Sequence, residues 1–144
     1  MPNIDEEIQS AEKKLGFKIP PVYQDLLKTR AAELSSITIV INGRTSSWFD
    51  RVLALTPSHL EMTYYFAKEA FESANESLPD WWQSYFAIGD DGGDGFYFMK
   101  RDGSPEVYFV DDYVVDEEPT VHQPTLDAFI EQHIQDREKF ISDP

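Results

Sequence analysis

Three short strand-like runs, separated by turns rich in glycine and aspartate, constrain the fold of this chain most. The runs cover residues 85–88, 96–100 and 107–110, and five of the seven glycines lie between positions 89 and 103. Glycine supplies positive φ at no steric cost, and aspartate hydrogen-bonds its own backbone, so both residues favour tight turns. Strands joined by such short turns pair antiparallel. The centre of the chain is therefore predicted to be an antiparallel sheet, with Val114-Val115 as a candidate extension.

Two helices are predicted before these strands. The first follows Asn3, a favoured N-cap residue with Glu6 three positions later, and ends at Gly16. The second begins at Pro21, because proline is favoured at the first helical position, and runs to about Arg30. The apolar faces of these two helices are formed by Ile4, Ile8, Ala11, Leu15, Val22, Tyr23, Leu26 and Leu27.

A hairpin and two further helices complete the pattern. A strand over residues 37–41 leads into Asn42-Gly43, a strong hairpin signal, and a return strand runs from Arg44 to about position 50. Residues 52–55 continue in extended form. Thr56-Pro57 opens the third helix, and the last helix begins near position 124. The inner faces of these helices are predicted to hold Leu60, Tyr64, Ala67, Phe71 and Ala74, and then Leu126, Phe129, Ile130, His133, Ile134 and Phe140.

The order of these elements is typical of an α+β protein. We expect residues 1–144 to form a single domain, in which a mostly antiparallel sheet of about five to six strands packs with three to four helices. A chain of this length buries enough surface for a core without covalent cross-links. The chain has no cysteine, which excludes thiolate chemistry and cysteine-ligated zinc.

The negative charge of the chain is regional. The formal net charge is −15, yet residues 1–60 are neutral overall, whereas residues 61–118 hold fifteen acidic and three basic side chains. Such a charge argues against binding nucleic acid, whose phosphates are neutralised by lysine and arginine, and against anionic membrane surfaces. It favours a basic protein partner. Because no apolar run is long enough for a signal peptide or a membrane span, we expect a cytoplasmic protein.

No motif predicts catalysis, a cofactor or a metal ion. A calcium site in the turn at 90–95 is disfavoured, because an EF-hand loop that began at Asp90 would place Gly92 and Arg101 at ligand positions. The aspartates of this turn are expected to hydrogen-bond their own backbone instead. Adjacent carboxylates at 111–112 and 116–118 favour a solvated acidic rim over an acid–base pair. The three histidines are scattered and form no metal-binding pattern.

Two segments are similar to signatures of the SUKH superfamily. Residues 15–27, LGFKIPPVYQDLL, resemble its opening, which has Leu-Gly, a short gap, a proline, a tyrosine and paired apolar residues. Residues 81–97, which end in FAIGDDGGDGFY, resemble its central strand–turn–strand, and residues 107–112 resemble its next strand. The resemblance implies a single α+β domain. In bacteria it implies an immunity protein that binds and neutralises a toxin domain, often a nuclease, and it carries no catalytic residues.

Together with this resemblance, the regional charge predicts a binding surface for a basic toxin domain. Trp81 and Trp82 add a candidate anchor, because adjacent residues point in different directions and tryptophan is enriched at binding hot spots. The residues predicted to bind the partner are Trp81, Trp82, Asp90, Asp91, Asp94, Asp111, Asp112, Asp116, Glu117 and Glu118.

Two other functions stay open at this point. Some members of the superfamily resemble yeast regulators of cell-wall synthesis, which act by protein contact, so a regulatory scaffold is one alternative. The other alternative is a metal- or small-molecule-binding enzyme, which no residue pattern in the sequence supports. The sequence leaves the oligomeric state open.

Overall fold

The computed structural model describes residues 3–50, 52–114 and 117–142. This part of the chain contains four helical segments and six strands. The helices are α1 (Ile4–Leu15), α2 (Pro21–Asp25), α3 (Ala31–Ser35), α4 (Pro57–Asn75) and α5 (Leu126–Ser142). A π-helical turn, Leu26–Arg30, joins α2 and α3 into one segment, and a 3-10 turn, Trp82–Ser84, precedes the third strand. The strands are β1 (Thr38–Ile41), β2 (Arg44–Ser47), β3 (Tyr85–Asp90), β4 (Phe96–Lys100), β5 (Val107–Val110) and β6 (Thr120–Gln123).

The strands pair antiparallel, which confirms the predicted α+β class, and they form two sheets. β1 and β2 make a separate hairpin, and the larger sheet has the order β3-β4-β5-β6. The turn of the small hairpin is at Asn42-Gly43, as predicted, with φ angles of 53° and 76°. Each strand of the larger sheet lies beside its neighbour in sequence, so every connection in it is local.

The predicted helix ends are confirmed where a specific cap forms. The Asn3 side chain accepts a hydrogen bond from the Glu6 N–H at 2.9 Å, and Gly16 ends α1 with a φ of 85°. Thr56 caps α4 in the same way, accepting from the His59 N–H at 3.0 Å. The predicted end of the second helix at Arg30 is wrong, because residues 31–35 contain neither glycine nor proline and continue the helix to Ser35.

Several smaller predictions are also corrected. β2 ends at Ser47 rather than near position 50. Val114 lies in a turn, not in a strand, and Val115 lies outside the described residues. The strand that does extend the sheet is β6, which has no apolar run and is exposed or half-buried along its length. Ala74 and Phe140, predicted to face inward, are exposed, because their helices extend beyond the core at those turns.

The two long helices pack on opposite faces of the larger sheet, because side chains alternate along β4. The Phe96 and Phe98 rings lie 5.8 and 5.9 Å from the ring of Phe71 on α4. The ring of Tyr97, between them, lies 4.8 Å from Phe129 on α5. Successive residues of a strand point to opposite faces, so α4 and α5 sandwich the sheet. All five helices contribute buried side chains to one core cluster.

The free edge of β3 is covered by the segment that precedes α4. The Ala54 N–H donates to the Ile88 carbonyl at 2.7 Å, and the Ala54 carbonyl accepts from the Tyr23 hydroxyl at 2.5 Å. This approach requires Gly89, because a Cβ there would lie 2.0 Å from the Val52 carbonyl oxygen. An unpaired strand edge is a template for aggregation, and this segment removes part of it.

Replacing Gly89 by alanine should therefore destabilise the protein strongly. The new methyl group would meet backbone atoms that cannot move without breaking the contact of residues 52–54 with β3, and we expect the free energy of unfolding to fall by at least about 3 kcal/mol. Urea denaturation of the variant and the wild type measures the change.

Gly93→Ala is the matched control. A Cβ at that position meets only the Asp91 carboxylate, at an ordinary contact distance of 3.5 Å. We expect a change within about 0.5 kcal/mol. Equal effects of the two substitutions would show that the close approach at Gly89 is not what requires a glycine there.

Candidate functional site

The order of the strands brings two acidic segments to the same end of the larger sheet. The β3–β4 loop and the segment between β5 and β6 both leave this end, since β4 runs antiparallel to both of its neighbours. In the register, Asp90 lies opposite Phe96, and Phe96 lies opposite Val110. We call the described carboxylates of these two segments the acidic end. They are Asp90, Asp91, Asp94, Asp111, Asp112, Glu117 and Glu118.

Backbone N–H groups hold the β3–β4 loop in place through two of its carboxylates. Asp91 accepts hydrogen bonds from the N–H groups of Gly93 at 2.8 Å and Gly95 at 3.0 Å. Asp90 accepts one from the Gly92 N–H at 2.8 Å. These are the local hydrogen bonds that the sequence predicts for this turn. Asp90 and Asp91 thus stabilise the conformation of the loop. Asp94 is exposed, and its side chain accepts no described hydrogen bond.

Hydrogen bonds connect the segment after β5 to the β3–β4 loop and to α4. The Tyr113 N–H donates to the Asp94 carbonyl at 3.2 Å, and the Tyr113 carbonyl accepts from the Asn75 side chain at 3.1 Å. Asp112 accepts from the Val114 N–H at 2.9 Å. The two loops and the end of α4 therefore form one continuous surface.

The remaining carboxylates of the acidic end line a small surface depression. Asp111, Asp112, Glu117 and Glu118 line a depression of about 240 Å³ together with residues of β5 and β6. Asp111, Glu117 and Glu118 are exposed. Asp116, also predicted for this surface, lies outside the described residues. The structure thus brings the predicted carboxylates of residues 111–118 together wherever it describes them.

The negative charge of the acidic end reaches both faces of the sheet. Burial, with the nearby charge of Asp91, raises the pKa of Tyr97 to about 12 on the α5 side. On the α4 side, burial and the charge of Glu118 raise the pKa of Tyr85 to about 12. The Tyr85 hydroxyl donates to the Glu118 carboxylate at 3.3 Å. Both tyrosines are neutral at physiological pH.

The two tryptophans precede β3 and lie at the opposite end of that strand from Asp90. Trp82 is 2% exposed, and its ring packs 5.7 Å from Phe71, so it is part of the core. Trp81 is half-buried, with its ring 5.5 Å from Phe98. One tryptophan is thus more exposed than the other, as the sequence predicts. An anchoring role for either one stays a prediction.

An apolar groove borders the acidic end, and it is not among the sites predicted from the sequence. It has a volume of about 570 Å³ and runs between α4, the β3–β4 loop and residues 113–114. Phe66 and Ala70 line one wall, and Val114 lines the other. The sequence does contain a pattern that indicates this groove. Met62, Phe66 and Ala70 repeat every four residues and form a second apolar face on α4, whose buried face is formed by Leu60, Tyr64 and later residues.

Other kinds of site are not found in the described parts of the chain. No group of three or more histidine, aspartate or glutamate side chains among them is placed to hold a metal ion. None of the described helices combines the length and the apolar character needed to cross a membrane.

Comparison with protein families gives one match. The family described as SMI1 / KNR4 family (SUKH-1) matches residues 2–132, which is most of the chain and includes both segments of the acidic end. Comparison with curated proteins found no match.

The structural and the exposed aspartates of the β3–β4 loop should respond differently to truncation. Asp91→Ala removes the acceptor of two backbone hydrogen bonds, and we expect the free energy of unfolding to fall by about 1 kcal/mol. Asp94→Ala, in the same loop, removes no described side-chain bond and should change it by less than about 0.5 kcal/mol. Urea denaturation distinguishes the two outcomes. A larger loss for Asp94→Ala would contradict these assignments.

Proposed function

The chain belongs to the SMI1/KNR4 (SUKH-1) family, and from that membership we propose that it is a non-enzymatic, immunity-type protein that binds and neutralises a toxin domain through the acidic end. The partner is a protein domain with a basic surface. The single observation that supports this choice of surface is that the fold collects seven described carboxylates on two touching loops at one end of the sheet.

The described segments that form the acidic end contain no lysine or arginine that could neutralise its carboxylates. Residues 90–95, 111–114 and 117–119 include no basic residue. The ion pairs of the described chain lie elsewhere: Lys14 with Glu61, Lys28 with Asp5, and Arg30 with Glu33 and Asp127. Lys14, Lys28 and Arg30 are therefore paired with carboxylates of the helices, and no ion pair in the described parts of the chain involves a carboxylate of the acidic end.

The charge of the acidic end suits a toxin domain that acts on nucleic acid. Such an enzyme carries a basic cleft, because lysine and arginine neutralise the phosphates of its substrate. Clustered carboxylates at the end of a rigid sheet can occupy the positions that those phosphates take. Complementary charge also accelerates encounter and makes the association rate depend on salt.

Removing three exposed carboxylates should weaken the complex. The test variant is Asp94→Asn/Asp111→Asn/Glu117→Gln, whose members are exposed and accept no described side-chain hydrogen bond. We expect slower association with the toxin domain encoded beside the gene, and a smaller loss of rate on going from low to physiological salt. Stopped-flow or biolayer measurements at the two salt concentrations give both quantities.

The control variant carries the same change in net charge at remote positions. Asp25→Asn/Asp80→Asn/Glu138→Gln alters exposed carboxylates on α2, before β3 and on α5. If both variants slow association equally, the total charge matters and the acidic end does not. If the wild-type protein fails to bind the toxin domain at micromolar concentration and low salt, the proposed function is wrong. A gene neighbourhood without a toxin domain would favour the regulatory scaffold instead.

A further inference from the structure

The groove beside the acidic end is lined by apolar side chains that the fold leaves uncovered. Phe66 is 61% exposed and Val114 is 56% exposed, and both line the groove. Met62, one helical turn before Phe66, is 68% exposed and extends the apolar surface along α4. Single exposed apolar residues are common, whereas several gathered along one groove mark an interaction site.

The groove has a rigid floor and enough room for a large side chain. Its floor is formed by Phe96, which is 1% exposed, and by Tyr113, whose ring lies 6.1 Å from that of Phe96. The ring of Phe66 also packs against Phe96, with the two ring centroids 5.8 Å apart. A volume of about 570 Å³ lies within the range of pockets that bury a ligand group.

The charge around the groove limits what can occupy it. Glu69 and Asp94 are the charged residues that line it within the described parts of the chain, and both are exposed. A second copy of this chain is a poor occupant, because a two-fold contact would bring the same carboxylates against each other. A partner that places lysine or arginine next to an apolar side chain complements both the lining and the rim.

We propose that this groove receives one aromatic or long aliphatic side chain of the basic toxin-type partner, with neighbouring lysine or arginine residues of the partner pairing with Glu69 and Asp94. The inference rests on the proposed function and adds the chemistry of the contact. The acidic end accelerates encounter, and the buried side chain supplies affinity that salt does not remove.

The test compares two exposed phenylalanines. Phe66→Ser removes the wall of the groove, and Phe140→Ser removes a 48%-exposed ring at the far end of α5, beside Trp48. Both variants are titrated by calorimetry into the toxin domain encoded beside the gene, at low and at physiological salt. We expect Kd to rise about 30-fold for Phe66→Ser at both salt concentrations, and by less than about twofold for Phe140→Ser.

Ala74→Lys is a second variant that does not remove packing. Ala74 lines the groove at an exposed helical position, so a lysine there leaves the fold intact and places a positive charge where the partner's own should lie. We expect it to weaken binding as well. Urea denaturation checks that each variant is folded.

The outcomes separate this inference from the proposed function. If Phe66→Ser and Ala74→Lys bind as the wild type does while the triple carboxylate variant binds more weakly, the groove is not the contact and the proposed function stands. If isolated wild-type protein dimerises and Phe66→Ser is monomeric, the occupant is a second copy and the inference is overturned. Failure of the wild type to bind overturns the proposed function and this inference together.

Discussion

The register of β4 between β3 and β5 is the constraint on which the rest of the structure depends. It places Phe96 and Phe98 on the face that α4 covers, and it places Tyr97 on the face that α5 covers. A shift by one residue would exchange these faces and turn each aromatic set towards the helix that packs on the other set, which would disrupt the packing on both faces. Gly95 helps to fix the register, because a Cβ there would lie 2.7 Å from the Phe109 ring and 2.6 Å from the Asp91 carboxylate.

The same pairing generates the candidate site. Local antiparallel connections require the β3–β4 loop and the β5–β6 segment to leave the same end of the sheet, so carboxylates about twenty residues apart in sequence become neighbours. Part of this acidic set maintains the loops: Asp90, Asp91 and Asp112 accept backbone hydrogen bonds. Glu118 accepts from the Tyr85 hydroxyl. The remaining carboxylates, Asp94, Asp111 and Glu117, are exposed and accept no described side-chain hydrogen bond, and we propose that they contact the partner.

Features set by local chemistry could be predicted from the sequence, and features set by tertiary contacts could not. The cap at Asn3, the hairpin at Asn42-Gly43 and the helix start at Thr56 depend on a few adjacent residues. β6 escaped prediction because its four residues have no apolar run, and pairing with β5 alone makes them a strand. The groove was not predicted because the spacing of Met62, Phe66 and Ala70 indicates a second apolar face of α4 but does not show whether another element covers that face. The carboxylates were predicted individually, and their meeting at one end follows from the strand order.

The most direct test of the central claim, that the acidic end is the binding face, is hydrogen–deuterium exchange of the chain with and without the toxin domain encoded beside its gene. The account predicts slower exchange on binding at residues 90–95 and 111–114, with little change in the β1–β2 hairpin or in α1. Protection confined to α1–α3 or to the small hairpin, with exchange of the two acidic loops unchanged, would contradict it.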